Sequence, residues 1–437
     1  MTSASRNVVL LTVDCLRADH CGFMNSTMDT TPCLDRMAMD GIVFENAIAP
    51  GPRTPSSIPE IATGKLLPRY NTDGQDWREA MMQSVAEHIG DYETVAERFA
   101  QKGYSTAAYT ANPWTLRETN FDVGFDHFQE VGSGSSGLLA RMFSDTRVGP
   151  IARLADQWWQ KNAWFSQWRT FYMDLTTTIE QLSEPYFVWV FLLDAHNPYI
   201  VPRQDRRESN AFGTYYSTLR GNAAMDDDGG KSNFRENLPP SIEYRIKEAY
   251  RDAIRSVDRF ISTLWSDHRD DDPIVAVHAD HGEAFNEHDT YGHQRRLYEE
   301  NIHVPLLIYN TNSTERIREP VSLRLLPEIL IASASEETDP ARWSSEYACT
   351  RTDDESSIAV RSKRWKYIAS GEGKELYDLS MDVKEQRNII DSHSDVAEEL
   401  RSVLASFTDG IPEKMFRGEV DTVDQRIEQQ LESLGYK

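Results

Sequence analysis

The sequence predicts an α/β fold: a mainly parallel sheet flanked by helices, with a smaller C-terminal antiparallel α+β subdomain. Three observations predict it. Short apolar runs alternate with amphipathic helical patterns through roughly the first three hundred residues, the signature of repeated strand–helix units. Two of those runs, Asn7-Val8-Val9-Leu10-Leu11-Thr12-Val13 and Ile274-Val275-Ala276-Val277, are followed closely by an acidic residue, Asp14 and Asp280. After about residue 335 the texture changes to short strand-like pieces, Trp365-Lys366-Tyr367-Ile368 and Glu375-Leu376-Tyr377-Asp378-Leu379, separated by a glycine-containing turn.

Taken in order, strands are expected at 7–13, 42–47, 104–110, 186–193, 274–278 and 304–309. Helices are expected at 93–102 and near 241–266, where Ile242, Ile246, Ala249, Ile254, Val257 and Ile261 recur at helical spacing. Between about 130 and 183 lies a Trp-rich helical insertion (Trp158, Trp159, Trp164, Trp168), read as a packed helical hairpin or a substrate lid near the strand ends. The stretch 203–239, with Gly229-Gly230 and three consecutive Asp, reads as a surface loop. The division is therefore 1–335 for the large α/β unit and 336–437 for the small one, which ends in a charged helical tail from about 395.

Composition narrows the function. The chain has 437 residues, is 39% hydrophobic, and carries a net charge of −24, enough for a sizeable core and a surface that repels nucleic acid and anionic lipid. Its 35 Arg and 11 Lys fit an acidic, Lys-poor protein kept soluble in concentrated salt, or an ordinary acidic cytosolic enzyme. Met1–Arg6 shows no export signal, and the longest apolar run, Tyr186–Leu193, falls far short of a membrane span. A cytoplasmic protein with no membrane span is expected. Its four cysteines lack ligand-pair spacing, and Cys15, beside a proposed ligand, is expected to be a small packing residue rather than a thiolate ligand.

Chemistry is expected where strands end. In an open α/β sheet the carboxyl ends of strands converge on one edge, so Asp14, Asp280 and His281 can meet as ligands of a divalent metal. Ahead of the helix near residue 60 runs Arg53-Thr54-Pro55-Ser56-Ser57-Ile58-Pro59. Thr54 reads as an N-cap with Pro at the first helical position, and a hydroxyl there faces the dipole end that attracts anions. Metal coordination would make such a hydroxyl a nucleophile; Ser56 and Ser57 are the competing hydroxyls. After the strand 186–193 comes Asp194-Ala195-His196-Asn197-Pro198-Tyr199, with His196 as an acid or oxyanion contact. Of His288 and His293, one is expected to face the site and the other to order the loop.

At these motifs the chain resembles the sulfatases of the alkaline phosphatase superfamily. The likeness spans the N-V-V-L-L-T-V-D opening, T-P-C-L-D-R-M-A at 31–38, D-A-H-N-P-Y at 194–199, A-D-H-G-E-A-F-N-E-H at 279–288 and L-Y-E-E-N-I-H-V-P-L-L-I at 297–308. It implies an alkaline-phosphatase-like fold and one departure. Sulfatases carry a Cys or Ser, oxidised to formylglycine, nine residues before the threonine of a T-G pair; here that place holds Thr54, ahead of Thr63, and Ile58 replaces the accompanying arginine. Thr54 resembles the metal-bound threonine of the superfamily's phosphodiesterases and phosphoethanolamine or glycerophosphate transferases. Cys15 stands where the sulfatase opening has its second Asp. Asp280-His281 is similar to the ligand pair of phosphonate monoester hydrolases and choline sulfatases. Asn112 falls in the segment that replaces the family's Gly-Lys-x-His, as a substrate contact, and His293 falls where many relatives place a lysine on the transferred group.

The expectation is thus a metal-dependent hydrolase of sulfate or phosphate esters, phosphodiester or phosphonate ester favoured. One divalent ion (Mn²⁺, Zn²⁺ or Ca²⁺) would sit on Asp14, Thr54, Asp280 and His281, with His196 and His293 assisting. The substrate would be a small anionic ester, with esters of carbohydrates and of lipid head groups as the candidates. A transferase using the same covalent intermediate and a non-catalytic anion-binding member are the alternatives.

Overall fold

The computed structural model describes residues 5–24, 27–68, 76–131, 167–199, 201–210, 227–228, 231–232, 238–336 and 339–408. Its centre is an eight-stranded sheet. In chain order the strands are β1 (Val8–Val13), β2 (Ile42–Phe44), β3 (Ser105–Thr110), β4 (His127–Glu130), β5 (Tyr186–Leu192), β6 (Ile274–Ala279), β7 (Leu306–Tyr309) and β8 (Glu315–Ile317). Their spatial order is β8-β2-β7-β6-β1-β5-β3-β4. Only β7 runs against the rest, antiparallel to both β6 and β2. Every residue of β1, β5 and β6 is buried, which is why these strands read as continuous apolar runs without alternation.

Two groups of helices cover the sheet. Helices α1 (Pro32–Met37), α5 (Tyr172–Gln181) and α6 (Pro240–His268) form one group. Asp258 of α6 accepts hydrogen bonds from the Cys33 and Leu34 amides at the start of α1. Phe260 of α6 meets Tyr172 of α5 edge to face, with ring centres 6.0 Å apart. Helices α2 (Thr54–Thr63), α3 (Trp77–Asp91), α4 (Val95–Gln101) and α7 (Leu326–Ala334) form the other. The start of α4 is fixed by a capping box: Thr94 Oγ1 accepts from the Glu97 amide and the Glu97 carboxylate accepts from the Thr94 amide. The periodic apolar residues of the long helix are all buried: Ile242, Ile246, Ala249, Ile254, Val257 and Ile261. Each of the isoleucine and valine side chains contributes about 1.5–3 kcal/mol.

The C-terminal region forms a four-stranded antiparallel sheet, β9 (Tyr347–Arg351), β10 (Ser357–Ser362), β11 (Trp365–Ser370) and β12 (Gly373–Asp378), in that order. Helix α8 (Ser394–Thr408) accompanies it, and its Ala397, Leu400 and Leu404 pack on Val360, Tyr367 and Leu376.

Some expectations are corrected. The strand foreseen at 42–47 stops at Phe44, and Ala47–Ile48 pairs instead with His303–Val304 and Val321–Ser322. Likewise 304–309 divides into that short piece and β7. Of the Trp-rich insertion, Trp158, Trp159 and Trp164 lie outside the described residues, as do Gly229, Gly230 and the tail beyond 408. Trp168 is core: its ring meets Phe260 edge-on at 5.6 Å and its Nε1 donates to Ser256 Oγ. No helix among the described residues is long and apolar enough to cross a membrane.

Candidate active site

Four adjacent strands, β6, β1, β5 and β3, release their carboxyl ends on one edge of the sheet. Beyond those ends stand Asp280 and His281, Asp14 and Cys15, His196, and Asn112 respectively. Each turn is tied to the frame. The Asp14 amide donates to the Leu192 carbonyl at 2.9 Å, and the His196 amide donates to Leu193 at 3.0 Å. The glycine after the Asp-His pair has a steric reason. A Cβ on Gly282 would come within 2.0 Å of the Glu300 carbonyl oxygen, because the Gly282 and Glu283 amides donate to the Asn301 and Glu300 carbonyls at 2.8 and 2.9 Å.

Helix α2 brings the hydroxyl. It starts at Thr54, with extended Arg53 before it and Pro55 second in the helix, and its side chains are buried almost all round. The expected N-cap is therefore corrected: Thr54 is the first helical residue, Arg53 flanks the helix, and no side-chain cap bond forms. Thr54 Oγ1 lies 3.2 Å from His281 Nε2 instead. The competing hydroxyls are spent on carbonyls. Ser56 Oγ donates to Arg53 at 2.9 Å, and Ser57 Oγ donates to Asp280 at 2.6 Å, pinning the helix to the end of β6.

Around His281 the acceptors converge. Its Nδ1 lies 2.8 Å from the Gly282 carbonyl oxygen, so that nitrogen donates there and Nε2 faces inward. Facing Nε2 are Asp14 Oδ1 at 3.5 Å, Asp280 Oδ2 at 3.4 Å and Thr54 Oγ1. Asn112 Nδ2 donates to Asp14 Oδ2 at 2.8 Å and reaches Thr54 Oγ1 at 3.5 Å. His293 closes one side, its ring 4.9 Å from His281 and 5.1 Å from His196. Its Nδ1 is 3.2 Å from Glu283 Oε1, while Tyr199 donates to Glu283 Oε2 at 3.0 Å. Every predicted site residue is thus brought to one place. The pair left open also resolves. His293 faces the cluster, whereas His288 binds Glu300 Oε1 at 2.7 Å and stacks on Tyr298 at 3.6 Å.

The cluster is acidic and dry. Burial first, then the charge of Asp280, pushes the Asp14 carboxyl well above its usual range. Burial raises Asp280 and Glu283 as well. Burial lowers His196 to about 3, and burial also depresses His293. Both rings are neutral in the resting site. Among the described residues, no Lys or Arg forms an ion pair with Asp14, Asp280 or Glu283.

Sequence reasoning missed three participants. Cys15, expected to be packing, places Sγ 3.1 Å from Asp14 Oδ1. Glu283 could have been found from its place in the Asp-His-Gly-Glu run. Buried Arg53, just before Thr54, lies over the Trp77 ring at 5.0 Å, and its charge helps lower His293. Nothing in a single arginine beside a threonine signals that position.

Residues 6–333 match the family profile described as Sulfatase. The chain belongs to the sulfatase family. An arylsulfatase of Clostridium perfringens is 24% identical over 475 aligned residues, covering 92% of this chain and 94% of its own length. Among solved structures, the phosphonate monoester hydrolase of Agrobacterium radiobacter matches with a TM-score of 0.63 at 15% identity, over 93% of this chain and 96% of that one. A 2-O GAG sulfatase matches with a TM-score of 0.66 at 15% identity, over 93% and 92%. At such identity these structures establish the shared alkaline-phosphatase-like fold. The protein is a sulfatase-family hydrolase of sulfuric or phosphoric esters.

Proposed function

We propose that this sulfatase-family hydrolase cleaves a small anionic ester through Thr54, with phosphodiesters or phosphonate esters ahead of sulfate esters. The position of Thr54 carries the reading: a buried hydroxyl 3.2 Å from His281 Nε2, in the cage that Asp14 and Asp280 complete. The donor set fits one divalent cation. Two fully buried carboxylates and an imidazole lone pair face one another with no Lys or Arg paired to them among the described residues, an arrangement that a cation relieves. Asp14, Asp280, His281 and Thr54 would hold it, and the mixed oxygen and nitrogen donors suit Mn²⁺, Zn²⁺ or Ca²⁺. Bound there, such an ion lowers the pKa of the Thr54 hydroxyl and neutralises charge on the transferred group.

The chain's own residues supply the remaining steps. Thr54 Oγ1 releases its proton to solvent and forms a bond to phosphorus or sulfur as the bond to the alcohol oxygen breaks, and that oxygen leaves as the alcohol with a proton taken up from solvent through His196 or His293. Water then cleaves the Thr54 ester and restores the hydroxyl. An arriving anion raises the proton affinity of neutral His196 and His293, which then donate to the transferred oxygens or to the departing oxygen. Asn112, held by the Trp114 amide on its Oδ1 at 2.9 Å, orients Asp14 and contacts substrate. A preference for phosphorus is supported by threonine, which has no usual route to formylglycine, and by Ile58, an apolar core residue where the family has arginine.

The test is a screen of aryl phosphate diesters, aryl phosphonate esters and aryl sulfates with the purified protein and three variants. The intact mass should equal that encoded. Thr54→Ala should lose hydrolysis of every ester, while Ser56→Ala and Ser57→Ala keep much of it. An active Thr54→Ala protein beside a dead Ser56→Ala variant overturns the assignment.

A further inference from the structure

The four cysteines are all buried and unbridged, but their surroundings differ. Cys21 and Cys33 lie in the main apolar core and Cys349 lies in the core of the C-terminal sheet. Cys15, with no exposure at all, belongs to neither. Its Sγ is 3.1 Å from Asp14 Oδ1, 3.7 Å from His293 Nδ1 and 3.9 Å from Nδ1 of the His281 ring. A cysteine that merely filled space would be expected among apolar side chains.

The backbone also aims it. Along an extended strand, neighbouring side chains point to opposite faces, so Asp14 and Cys15 would diverge. Cys15 instead has φ of +62°, a left-handed conformation uncommon for a residue with a side chain. Tyr250 holds it there: its hydroxyl donates to the Cys15 carbonyl at 2.7 Å and accepts from the Arg17 amide at 3.0 Å. The Cys15 amide donates to Asp280 Oδ1 at 3.4 Å. The result is that Asp14, Cys15 and His281 bring their ligand atoms to one place, with Asp14 Oδ1 3.1 Å from Cys15 Sγ and 3.5 Å from His281 Nε2. Ligand atoms on one tetrahedral zinc ion, with bonds of about 2.0–2.3 Å, lie at comparable separations.

We propose that Cys15 is a thiolate ligand of the divalent ion at this site and commits the site to zinc rather than calcium or magnesium. The proposal rests on the metal-dependent reading above and goes further by choosing the metal. Thiolate sulfur favours zinc, whereas calcium and magnesium take oxygen donors almost exclusively. On binding, the Sγ–H bond breaks, its proton passes to buffer, and a sulfur–zinc bond forms. Nothing is oxidised or reduced.

The test uses the full chain, stripped with a chelator and then reloaded separately with Zn²⁺, Co²⁺ or Ca²⁺. Cobalt bound by a thiolate shows an intense near-ultraviolet charge-transfer band, which oxygen and nitrogen ligands do not give. The band is expected in the wild-type protein and absent from Cys15→Ser. In direct competition, Cys15→Asp should shift the ratio of zinc to calcium bound by at least ~10-fold toward calcium. Far-UV circular dichroism checks that both variants fold, and the wild-type spectrum decides the matter even if they do not. Metal bound without the band, or a band that survives in Cys15→Ser, overturns this proposal alone. A protein that binds none of the three ions overturns it together with the metal-dependent mechanism.

Discussion

Two groups of buried acids in this protein differ in the cations that meet them. At the junction with the C-terminal sheet, Lys366 Nζ lies 2.7 Å from Glu385 and 3.2 Å from Glu299, and Arg361 Nη2 lies 3.4 Å from Glu299. Burial alone would raise the Glu299 carboxyl, but Lys366 and Arg361 outweigh it and hold it low. At the strand ends, Asp14, Asp280 and Glu283 are all raised, by burial first. The junction pairs its acids with Lys366 and Arg361, whereas among the described residues no Lys or Arg forms an ion pair with Asp14, Asp280 or Glu283. A self-balanced cluster joins parts of a fold, whereas an unbalanced one is suited to receive charge from outside.

The sharpest way to break this contrast is to remove one unbalanced acid. Asp280→Asn should lose at least ~10-fold in retained metal and with it the ester hydrolysis. Metal-free, the variant should be as stable as the parent or more so, because repulsion with Asp14 is relieved. Metal analysis and chemical denaturation of the stripped proteins read both effects. Full metal occupancy, or a large loss of metal-free stability, would mean that Asp280 is balanced within the protein. Next in size, His196→Ala should slow turnover by about 10²–10⁴-fold with metal content unchanged, since His196 is neutral at rest and balances none of the acids. Unchanged turnover would demote it to a loop residue.

The strand-end half of this contrast was largely legible in the sequence. Asp14, Asp280, His281, Asn112 and His196 all follow strands, and a parallel sheet gathers strand ends whatever their separation along the chain. What escaped was local geometry. The left-handed backbone at Cys15 depends on Tyr250, 235 residues away, and no pattern around residue 15 reveals it. Thr54 looked like a cap because Thr-Pro suits one; the fold needs its oxygen at His281 and shifts the helix start by a residue. The junction cluster was invisible, because Glu299, Arg361, Lys366 and Glu385 are ordinary charged residues on separate elements. Only the packing of the C-terminal sheet brings them together.

The junction can be broken from its cationic side. Lys366 is fully buried, so Lys366→Met removes the cation paired with Glu385 and leaves Glu299 with Arg361 and His303. Removing one partner of a buried ion cluster typically costs about 3–5 kcal/mol. Urea denaturation should show that loss, while turnover per folded molecule stays at the parent value, because Lys366 does not touch the strand-end site. A cost below about 1 kcal/mol would show that the junction is not held by this balance.

The smallest effect is a pH slope. Burial, then the Glu299 charge, pushes the Glu385 carboxyl up to about 7 against the pull of Lys366, whereas an unfolded glutamate titrates near 4.3. The native state therefore binds this proton more tightly than the unfolded chain. Its contribution to stability is complete below about pH 4.3 and is lost as pH rises through about 7, with a slope of at most ~1.4 kcal/mol per pH unit. The raised strand-end acids slope the same way, so the total in the parent protein assigns nothing. Glu385→Gln isolates one share: it keeps the shape of the protonated acid and cannot ionise. Denaturation at pH 5, 6 and 7 should show a shallower decline in the variant than in the parent. Equal slopes would mean that Glu385 is ionised throughout and that Lys366 and Arg361 balance two full charges, which makes the contrast with the strand ends stronger still.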